Sequence, residues 1–394
     1  FVNIYVISNN GPQFYYPTFD QTTSELQGSG TKEDPYLILN EYNFVRFITV
    51  VNSGDTEYNN PNVYYALGAN INLQSHDFNA IVEFNANFNG NGYTISGLHI
   101  GTSAESNVAL VKVNNGLIRD VKFANAVVFG DNNVAGVVAV NNGVLHGIVF
   151  DGMVMGRNNV AGVVAVNGTT SQKGTLVRLG SHGLISGNTN VGGVVGYMQN
   201  SNVDNYNDVF TIKHNTDGTV VNTYTGITES YSRATVFGTV NVGGVVGNAE
   251  NTENHLAIKN VYNTGTVYGY DGVAGIVGKI TNANIQFVYS FGDITTYNEN
   301  VTDTNFANSG VGHIAGVATN TTIGYELNGA SLGVAIMPND NRYIYIPKND
   351  TLLTNPVSIG TASNCLDRTV SYDYIIMQVQ QTYTQYGFEF IDMW

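Results

Sequence analysis

The side chains best able to do chemistry in this sequence are a few carboxylates, seven histidines and one cysteine. Cleavage of a glycosidic bond needs paired carboxylates around that bond. Two segments carry suitable residue types, Ser181–Gly183 (SHG) and Asn215–Asp217 (NTD). The chain has no Asp-Asp pair and no Arg-x-Lys element to complete such a site. We therefore interpret both segments as chance matches, and we predict no glycosidase centre.

The remaining acidic residues are candidates for a calcium site, which needs clustered Asp, or for a lyase site, which also needs a Lys or Arg base. The isolated candidates are Asp120, Asp131, Asp151 and Asp271. Each is near a predicted corner, where Asp commonly forms turns. No two histidines lie two or four residues apart, so no zinc motif exists. We predict that His146 is a packed or surface residue and Cys365 a structural one, with no catalytic, metal-binding or cofactor-binding residue and no cofactor.

The composition is that of an acidic, β-rich chain. Its 394 residues include 45 Gly and 25 Tyr, and 11% are charged, against about 25% in an average globular protein. The net charge is −15 and the 15 basic residues are scattered, which argues against nucleic acid or an anionic membrane as partners. No long apolar run is present, so we expect no membrane-spanning helix. The start at Phe1 suggests a processed or recombinant chain, and we expect it to be extracellular or at a cell surface.

A ten-residue segment, NNVAGVVAVN, occurs twice, at 132–141 and 158–167. Related segments begin at Asn107, Asn190, Asn241, Gly272 and His313. Counted from the second Asn of each decapeptide, Asn133 and Asn159, successive copies are separated by 26, 26, 31, 51, 31 and 41 residues, and periods of this size indicate a solenoid or a propeller. The 26-residue step is too short for a four-stranded propeller blade and fits one three-stranded coil of a β-solenoid. We predict about eight to twelve stacked coils at about 4.8 Å per coil, with loops inserted at the corners.

Side chains within the repeat alternate as in a β-strand. One face is predicted to carry Val134, Gly136, Val138 and Val140, and the other Ala135, Val137 and Ala139. Both faces are apolar or small, as in strands that are buried on both sides. Two interpretations stay open. The small residues pack against a covering loop or tolerate water, or they form a flat apolar stripe for lateral association.

The ends of an open solenoid need caps, because they expose unpaired strand edges. Asn40 is predicted to cap a short amphipathic helix whose Phe44, Ile48 and Val51 face the first coil. The segment Phe1–Ser8 (FVNIYVIS) predicts a strand without a partner in its own neighbourhood. It lies on its own coil, adds to another subunit as a donated strand, or frays.

The order of several segments resembles a known family. GSGTKEDPYLI, a short helix, YYALGANINL and FNGNGYTISGLHI follow one another from Gly28, and NVGGVVG and GVAGIVG come later. Over roughly 28–333 this order resembles bacterial surface proteins with GLUG-type repeats, and the terminal TQYGFEFIDMW is more weakly similar. The resemblance implies a right-handed parallel β-helix of the pectin-lyase-like kind, on a cell surface or in a secreted protein. It carries over no catalytic residue.

We divide the chain into four parts. They are an N-terminal strand and linker (1–27), an N-terminal cap with the first coils (28–100), the repeat β-helix (101–335) and an aromatic C-terminal cap segment (336–394). The aromatic runs RYIYIP and YDYIIMQVQQTYTQY in the last part are predicted to cap the final coil in preference to binding sugars. The predicted fold class is all-β, a right-handed parallel β-helix (β-solenoid) with a short N-terminal capping helix.

The sequence leads to three functional hypotheses. The first is a non-enzymatic, secreted or surface-exposed structural or adhesive protein, whose partners are surface glycans or proteins. The second is a filament or sheath subunit that polymerises with copies of itself through the N-terminal strand. The third, a polysaccharide-active enzyme, is disfavoured by the missing cluster of carboxylates and basic residues.

Overall fold

The structure is a computed structural model. It describes residues 5–8, 11–14, 25–73, 78–169, 172, 174–199, 226–290, 292–298, 310–312 and 314–323, and short strands at 335–336, 344–345, 351–353 and 365–366. Within these ranges the chain is built of β-strands and one α-helix. The strands of successive coils pair in parallel, which confirms the predicted parallel β-helix with an N-terminal capping helix.

Each coil contributes strands to three walls, which we call A, B and C. The chain enters through β3 (Tyr36–Ile38), β4 (Tyr64–Leu67) and β5 (Ile71–Asn72). Wall A contains β6 (Ile81–Phe84), β10 (Val111–Asn114), β13 (Val138–Asn141), β16 (Val164–Asn167), β19 (Val195–Gln199) and the first parts of β23 (Val246–Asn263), β26 (Val277–Ser290) and β29 (Ala315–Ile323). These eight strands pair in sequence order. The described residues therefore form eight coils along wall A, which is the lower end of the predicted range of eight to twelve.

The other two walls complete each coil. Wall B contains β7 (Asn87–Asn89), β8 (Thr94–Ser96), β9 (His99–Ile100), β11 (Leu117–Phe129), β14 (Val144–Met155), β17 (Thr175–Ser186), β20 (Gly226–Ser232), β21 (Thr235–Phe237), β24 (Val267–Gly269), β27 (Ile294–Thr296) and the later parts of β23 and β26. Wall C contains β12 (Asn132–Ala135), β15 (Asn158–Ala161), β18 (Thr189–Gly192), β22 (Val240–Gly243), β25 (Asp271–Ala274) and β28 (Val311–Gly312).

The two identical decapeptides lie on adjacent coils. Val134 pairs with Val160 on wall C, and Asn141 pairs with Asn167 on wall A. Like residues therefore stack directly on like residues. This register confirms that the repeat supplies successive rungs of one ladder, because each coil closes its apolar interior only against its neighbours.

The decapeptide does not run as one straight strand, and this corrects one expectation. The chain bends at Gly136 and Val137 between walls C and A, so Val137 and Val138 both enter the core. Ala135 and Ala139 are 0% exposed and belong to a small buried cluster of alanines. The exposed apolar stripe considered for lateral association is therefore wrong for these residues. The small side chains let two stretches of backbone meet at a concave corner.

Asparagine ladders run along the helix, among them an inner and an outer one. The inner one is buried at 0% exposure: Asn114 donates to Asn141, and Asn141 donates to Asn167, each at 2.8 Å. The outer one consists of Asn107, Asn133, Asn159, Asn190 and Asn241. All five have φ between 53° and 56°, a left-handed conformation that Asn tolerates better than most residues. Side-chain amides thus continue the hydrogen bonding of the backbone from coil to coil.

The N-terminal end is covered by α1 (Glu41–Val51). The Asn40 side chain accepts a hydrogen bond from the Asn43 backbone N–H at 2.9 Å and so caps the helix as predicted. The buried residues of the helix are Asn43, Phe44, Phe47, Ile48, Val50 and Val51. Phe44, Ile48 and Val51 therefore occupy the core-facing positions that the sequence predicted.

The remaining described strands lie near the chain ends. β1 (Tyr5–Ser8) and β2 (Gly11–Phe14) form an antiparallel hairpin, so the expectation that the first strand has no partner nearby is wrong. β32 (Thr351–Leu353) pairs antiparallel with β29 at the last coil. β30 (Ala335–Ile336), β31 (Ile344–Tyr345) and β33 (Cys365–Leu366) form a small antiparallel sheet. The 372–386 run lies outside the described residues, and the four-part division of the chain stays a prediction.

Candidate functional site

The Ser-His-Gly segment does not form a reactive pair. Ser181 is 0% exposed, whereas His182, the next residue along β17, takes the opposite side of the strand. The His182 ring Nε2 lies 3.0 Å from the Tyr231 hydroxyl. Burial lowers the pKa of His182. The segment therefore supplies one packed hydroxyl and one outward imidazole, and Asn215–Asp217 lies outside the described residues.

Asp120 has two basic neighbours in the structure, so the sequence-based interpretation of it as an isolated residue is wrong. The His146 Nδ1 lies 3.4 Å from Asp120 Oδ1, and the Arg119 Nε lies 3.7 Å from Asp120 Oδ2. The hydrogen bond from His146 lowers the pKa of Asp120. The register of β11 and β14 places His146 opposite Arg119, so Asp120 and His146 are diagonal neighbours on adjacent coils. A comparison of residues one coil apart would have brought His146 within one position of Asp120.

Of the other acidic candidates, Asp131 and Asp271 lie at corners of the coil, whereas Asp151 lies within β14 opposite His182, so the expected corner position is wrong for Asp151. Asp131 forms a two-point ion pair with Arg157 of the next coil, at 2.7 Å and 3.0 Å. Asp151 and Asp271 are exposed. Among the residues that the structure describes, no group of three or more His, Cys, Asp or Glu side chains could hold a metal ion. The side chain of Cys365 lies outside that description.

Exposed aromatic side chains gather where wall B turns into wall C, a feature that the sequence analysis missed. Met155, Phe237 and Tyr268 occupy one column at the ends of their strands, with Ser186 between the first two. Tyr270 and Tyr297 stand at the adjoining corner. We call Met155, Phe237, Tyr268, Tyr270 and Tyr297 the aromatic strip. The exposed fractions are 39% for Met155, 41% for Phe237, 39% for Tyr270 and 53% for Tyr297.

The rings of the aromatic strip are held in fixed orientations. Phe237 and Tyr268 stack with centroids 4.6 Å apart and planes 7° from parallel. The Tyr297 N–H donates to the Gly269 carbonyl of the preceding coil, and its hydroxyl donates to the Gly238 carbonyl two coils back, at 2.9 Å. The Tyr297 side chain therefore lies along the helix axis. More than half of the Tyr297 side chain is open to solvent.

Polar groups border the aromatic strip. Arg157, Asn188, Thr239 and Tyr270 follow one another on successive coils, linked by backbone hydrogen bonds at the corner. The Arg157 side chain is 59% exposed and paired with Asp131. The Tyr297 hydroxyl also lies 3.3 Å from Thr239 Oγ1. The surface thus combines rigid apolar ring faces with amide, hydroxyl and guanidinium groups, which is the composition of a recognition surface.

Lys259 on wall B is unusually buried for a lysine. It is 3% exposed and stacks between Thr228 and Gln286 in the register of the wall. Desolvation lowers its pKa to about 7. An unfolded lysine titrates near pH 10.4. Between these two values the unfolded chain binds more protons, so this group makes the folded state more stable as pH rises from about 7 towards 10.

Replacing Lys259 by Met is expected to remove that pH dependence. At pH 6–7 the variant should be more stable by about 1–3 kcal/mol, because no ammonium group has to lose its hydration. Urea unfolding at pH 6, 7.5 and 9 measures both effects. Lys122→Met, an exposed lysine of the same wall, is the control and should leave the slope unchanged. An equal pH slope in the Lys259 variant and the parent protein would contradict the assignment.

Comparison with known proteins finds no match to any family model. A protein named halomucin, from Haloquadratum walsbyi, is 29% identical over 145 residues, and the match covers 33% of this chain. The chain spans only 2% of the length of halomucin. A crystal structure described as a "putative immunoglobulin A1 protease" from Bacteroides ovatus superimposes with a TM-score of 0.47 at 18% identity, over 81% of this chain and 85% of that one. No helix in the described part of the chain is long and apolar enough to cross a membrane.

Proposed function

We propose that this protein is a non-enzymatic β-helix with GLUG-type repeats that acts outside the cell as an adhesive surface module. The observation that carries the proposal is the aromatic strip, a solvent-exposed row of ordered rings on a rigid scaffold. Large exposed apolar side chains in a row mark interaction surfaces more often than chance. The match to a protein named as a mucin is in keeping with a place outside the cell.

The arrangement of the ionisable groups supports a role in binding rather than in catalysis. Asp120 and Asp131 are each engaged by a basic partner of the same or an adjacent coil. Glu229 is likewise paired with Arg178 at 2.7 Å. The hydrogen bond from His146 lowers the pKa of Asp120, which makes this carboxyl a poor proton donor. These groups stabilise contacts between coils, and the ring faces of the aromatic strip supply the contact with a partner.

The proposal is tested by adhesion of the purified chain to immobilised surfaces. We expect the parent protein to adhere to fixed epithelial cells and mucus-coated plates, and a Phe237→Ser/Tyr297→Ser variant to lose most of that adhesion. Tyr93→Ser, an exposed tyrosine on another part of the helix, is the matched control. Equal adhesion of the strip variant and the control would contradict the proposal. Release of reducing ends or unsaturated products from polysaccharides would contradict its non-enzymatic part.

A further inference from the structure

We propose that the aromatic strip binds an extended, uncharged glycan whose pyranose rings follow the axis of the β-helix. This inference rests on the proposed adhesive function and names the ligand class of the same surface. In the sequence, the C-terminal aromatic runs are the segments for which sugar binding is an alternative. The structure instead assigns it to rings on the corner of the coils.

The first argument is the presentation of the rings. One face of a pyranose carries axial C–H groups, and these pack well on the electron-rich face of an aromatic ring. Tyr297 is 53% exposed, and the Tyr270 ring lies beside it with centroids 5.6 Å apart and planes 47° from parallel. The two rings form a shallow cradle rather than a flat stack. A cradle of this kind holds a puckered ring better than a planar one.

A second position lies in the column of Phe237. One face of this ring is covered by Tyr268, and the other is turned towards the coil of Ser186. The short side chain of Ser186 separates Phe237 from Met155, the next large residue in the column. This leaves a notch one coil deep, about 4.8 Å, bounded by an aromatic face and a thioether. The thickness suits one sugar ring.

The third argument is spacing and charge. Consecutive residues of an extended glycan repeat at nearly the coil spacing of about 4.8 Å, so several sugars contact successive coils in register. Charged groups beside the strip, within the part of the chain that the structure describes, include Arg157, which is paired with Asp131, and the exposed Asp271 next to Tyr270. Together with the net charge of −15, this disfavours uronic acid or sulfated polymers. Asn188 and Thr239 are suited to hydroxyl groups.

Affinity electrophoresis in native gels tests the inference. The probes are three neutral polymers (hydroxyethyl cellulose, galactomannan and arabinoxylan) and one acidic polymer (polygalacturonate). We expect retardation by at least one neutral polymer and none by polygalacturonate. Phe237→Ser/Tyr297→Ser should raise the dissociation constant by about tenfold or more, because stacking on aromatic rings dominates such contacts.

Two further variants separate ring stacking from general effects of mutation. Tyr297→Phe keeps the ring face and removes only the hydroxyl, so it should retain most of the affinity. Tyr93→Ser should bind like the parent protein. Circular dichroism and melting of each variant show that the fold is kept.

Every outcome bears on the inference. Retardation by no neutral polymer, by polygalacturonate alone, or to the same extent in the strip variant overturns the glycan assignment. If the strip variant loses adhesion while the parent protein binds no glycan, the adhesive function stands and its ligand is of another class. If neutral glycans bind through the strip but adhesion does not depend on it, the glycan site stands and the adhesive role fails.

Discussion

Replacing Asn141 by Ala is expected to destabilise the protein by about 2–4 kcal/mol. Asn141 is 0% exposed and lies in the middle of the inner asparagine ladder. It accepts a hydrogen bond from Asn114 and donates to Asn167, each at 2.8 Å, and to the Gly143 carbonyl at 3.3 Å. The variant loses these bonds and leaves the Asn167 side-chain oxygen without this donor inside an apolar core, where no water replaces it.

A control within the same repeat separates burial from hydrogen bonding. Asn158 also donates to the equivalent residue of the previous coil, Asn132, at 2.7 Å. It is only partly buried, so water can replace the lost bond in Asn158→Ala and the cost should stay below about 1 kcal/mol. Urea unfolding followed by circular dichroism measures both variants. Equal losses in the free energy of unfolding would show that burial adds nothing to the stability that the inner ladder provides.

The ladder also predicts which replacement is tolerated. The residue that follows Asn167 on wall A is Met198, which lies in the hydrophobic core. The ladder ends there, and the Asn167 amide donates to the Gly174 carbonyl at 3.0 Å. Replacing all three asparagines by Met should therefore cost less than Asn141→Ala alone, since no side-chain amide is then left unpaired and the Gly116 and Gly143 carbonyls keep their backbone donors, Val144 and Thr175. This comparison distinguishes loss of pairing from loss of volume.

Replacing Gly193 by Ala is the second large expected effect, a loss of about 3 kcal/mol or more. Gly193 sits at the bend between walls C and A, at the position that Gly136, Gly162, Gly244 and Gly275 hold in other coils. A Cβ there would collide with the Gly244 carbonyl oxygen of the next coil and with the Ser232 hydroxyl. The first obstacle is backbone and cannot rotate away. The coils would have to separate locally, which breaks hydrogen bonds on both walls.

The matched control is a glycine at which an added methyl group meets no other atom. Nothing lies within 4 Å of a Cβ built on Gly92, whose φ is +76°. Gly92→Ala should therefore cost only the left-handed backbone strain of about 1–2 kcal/mol. Thermal unfolding at a fixed scan rate compares the two. A Gly193 variant no less stable than the Gly92 variant would show that the coils can spread to admit a methyl group.

The contacts of the candidate catalytic side chains can be predicted only in part from the sequence. The repeat step of 26 residues contains the information that Asp131 faces Arg157, whereas Asp120 contacts His146 diagonally across a register in which His146 lies opposite Arg119. Along the chain itself, Asp131 has only neutral neighbours, and Asp120 has Arg119 beside it. Ser181 and His182 illustrate the opposite error, because adjacent residues of a strand point to opposite sides and cannot act together.

The sequence by itself determined the fold class, the stacking of the two decapeptides and the N-terminal cap, because these depend on local patterns. Repeats at coil spacing, alternating side chains and an Asn before an amphipathic segment each specify structure over a short stretch of chain. Only the tertiary structure decided that Ala135 and Ala139 are buried at a concave corner. It likewise decided that Phe237 and Tyr297, 60 residues apart, share one surface. Those arrangements depend on where the chain bends and on the register in which strands pair after loops of unequal length. Backbone contacts between coils determine both the bends and the register.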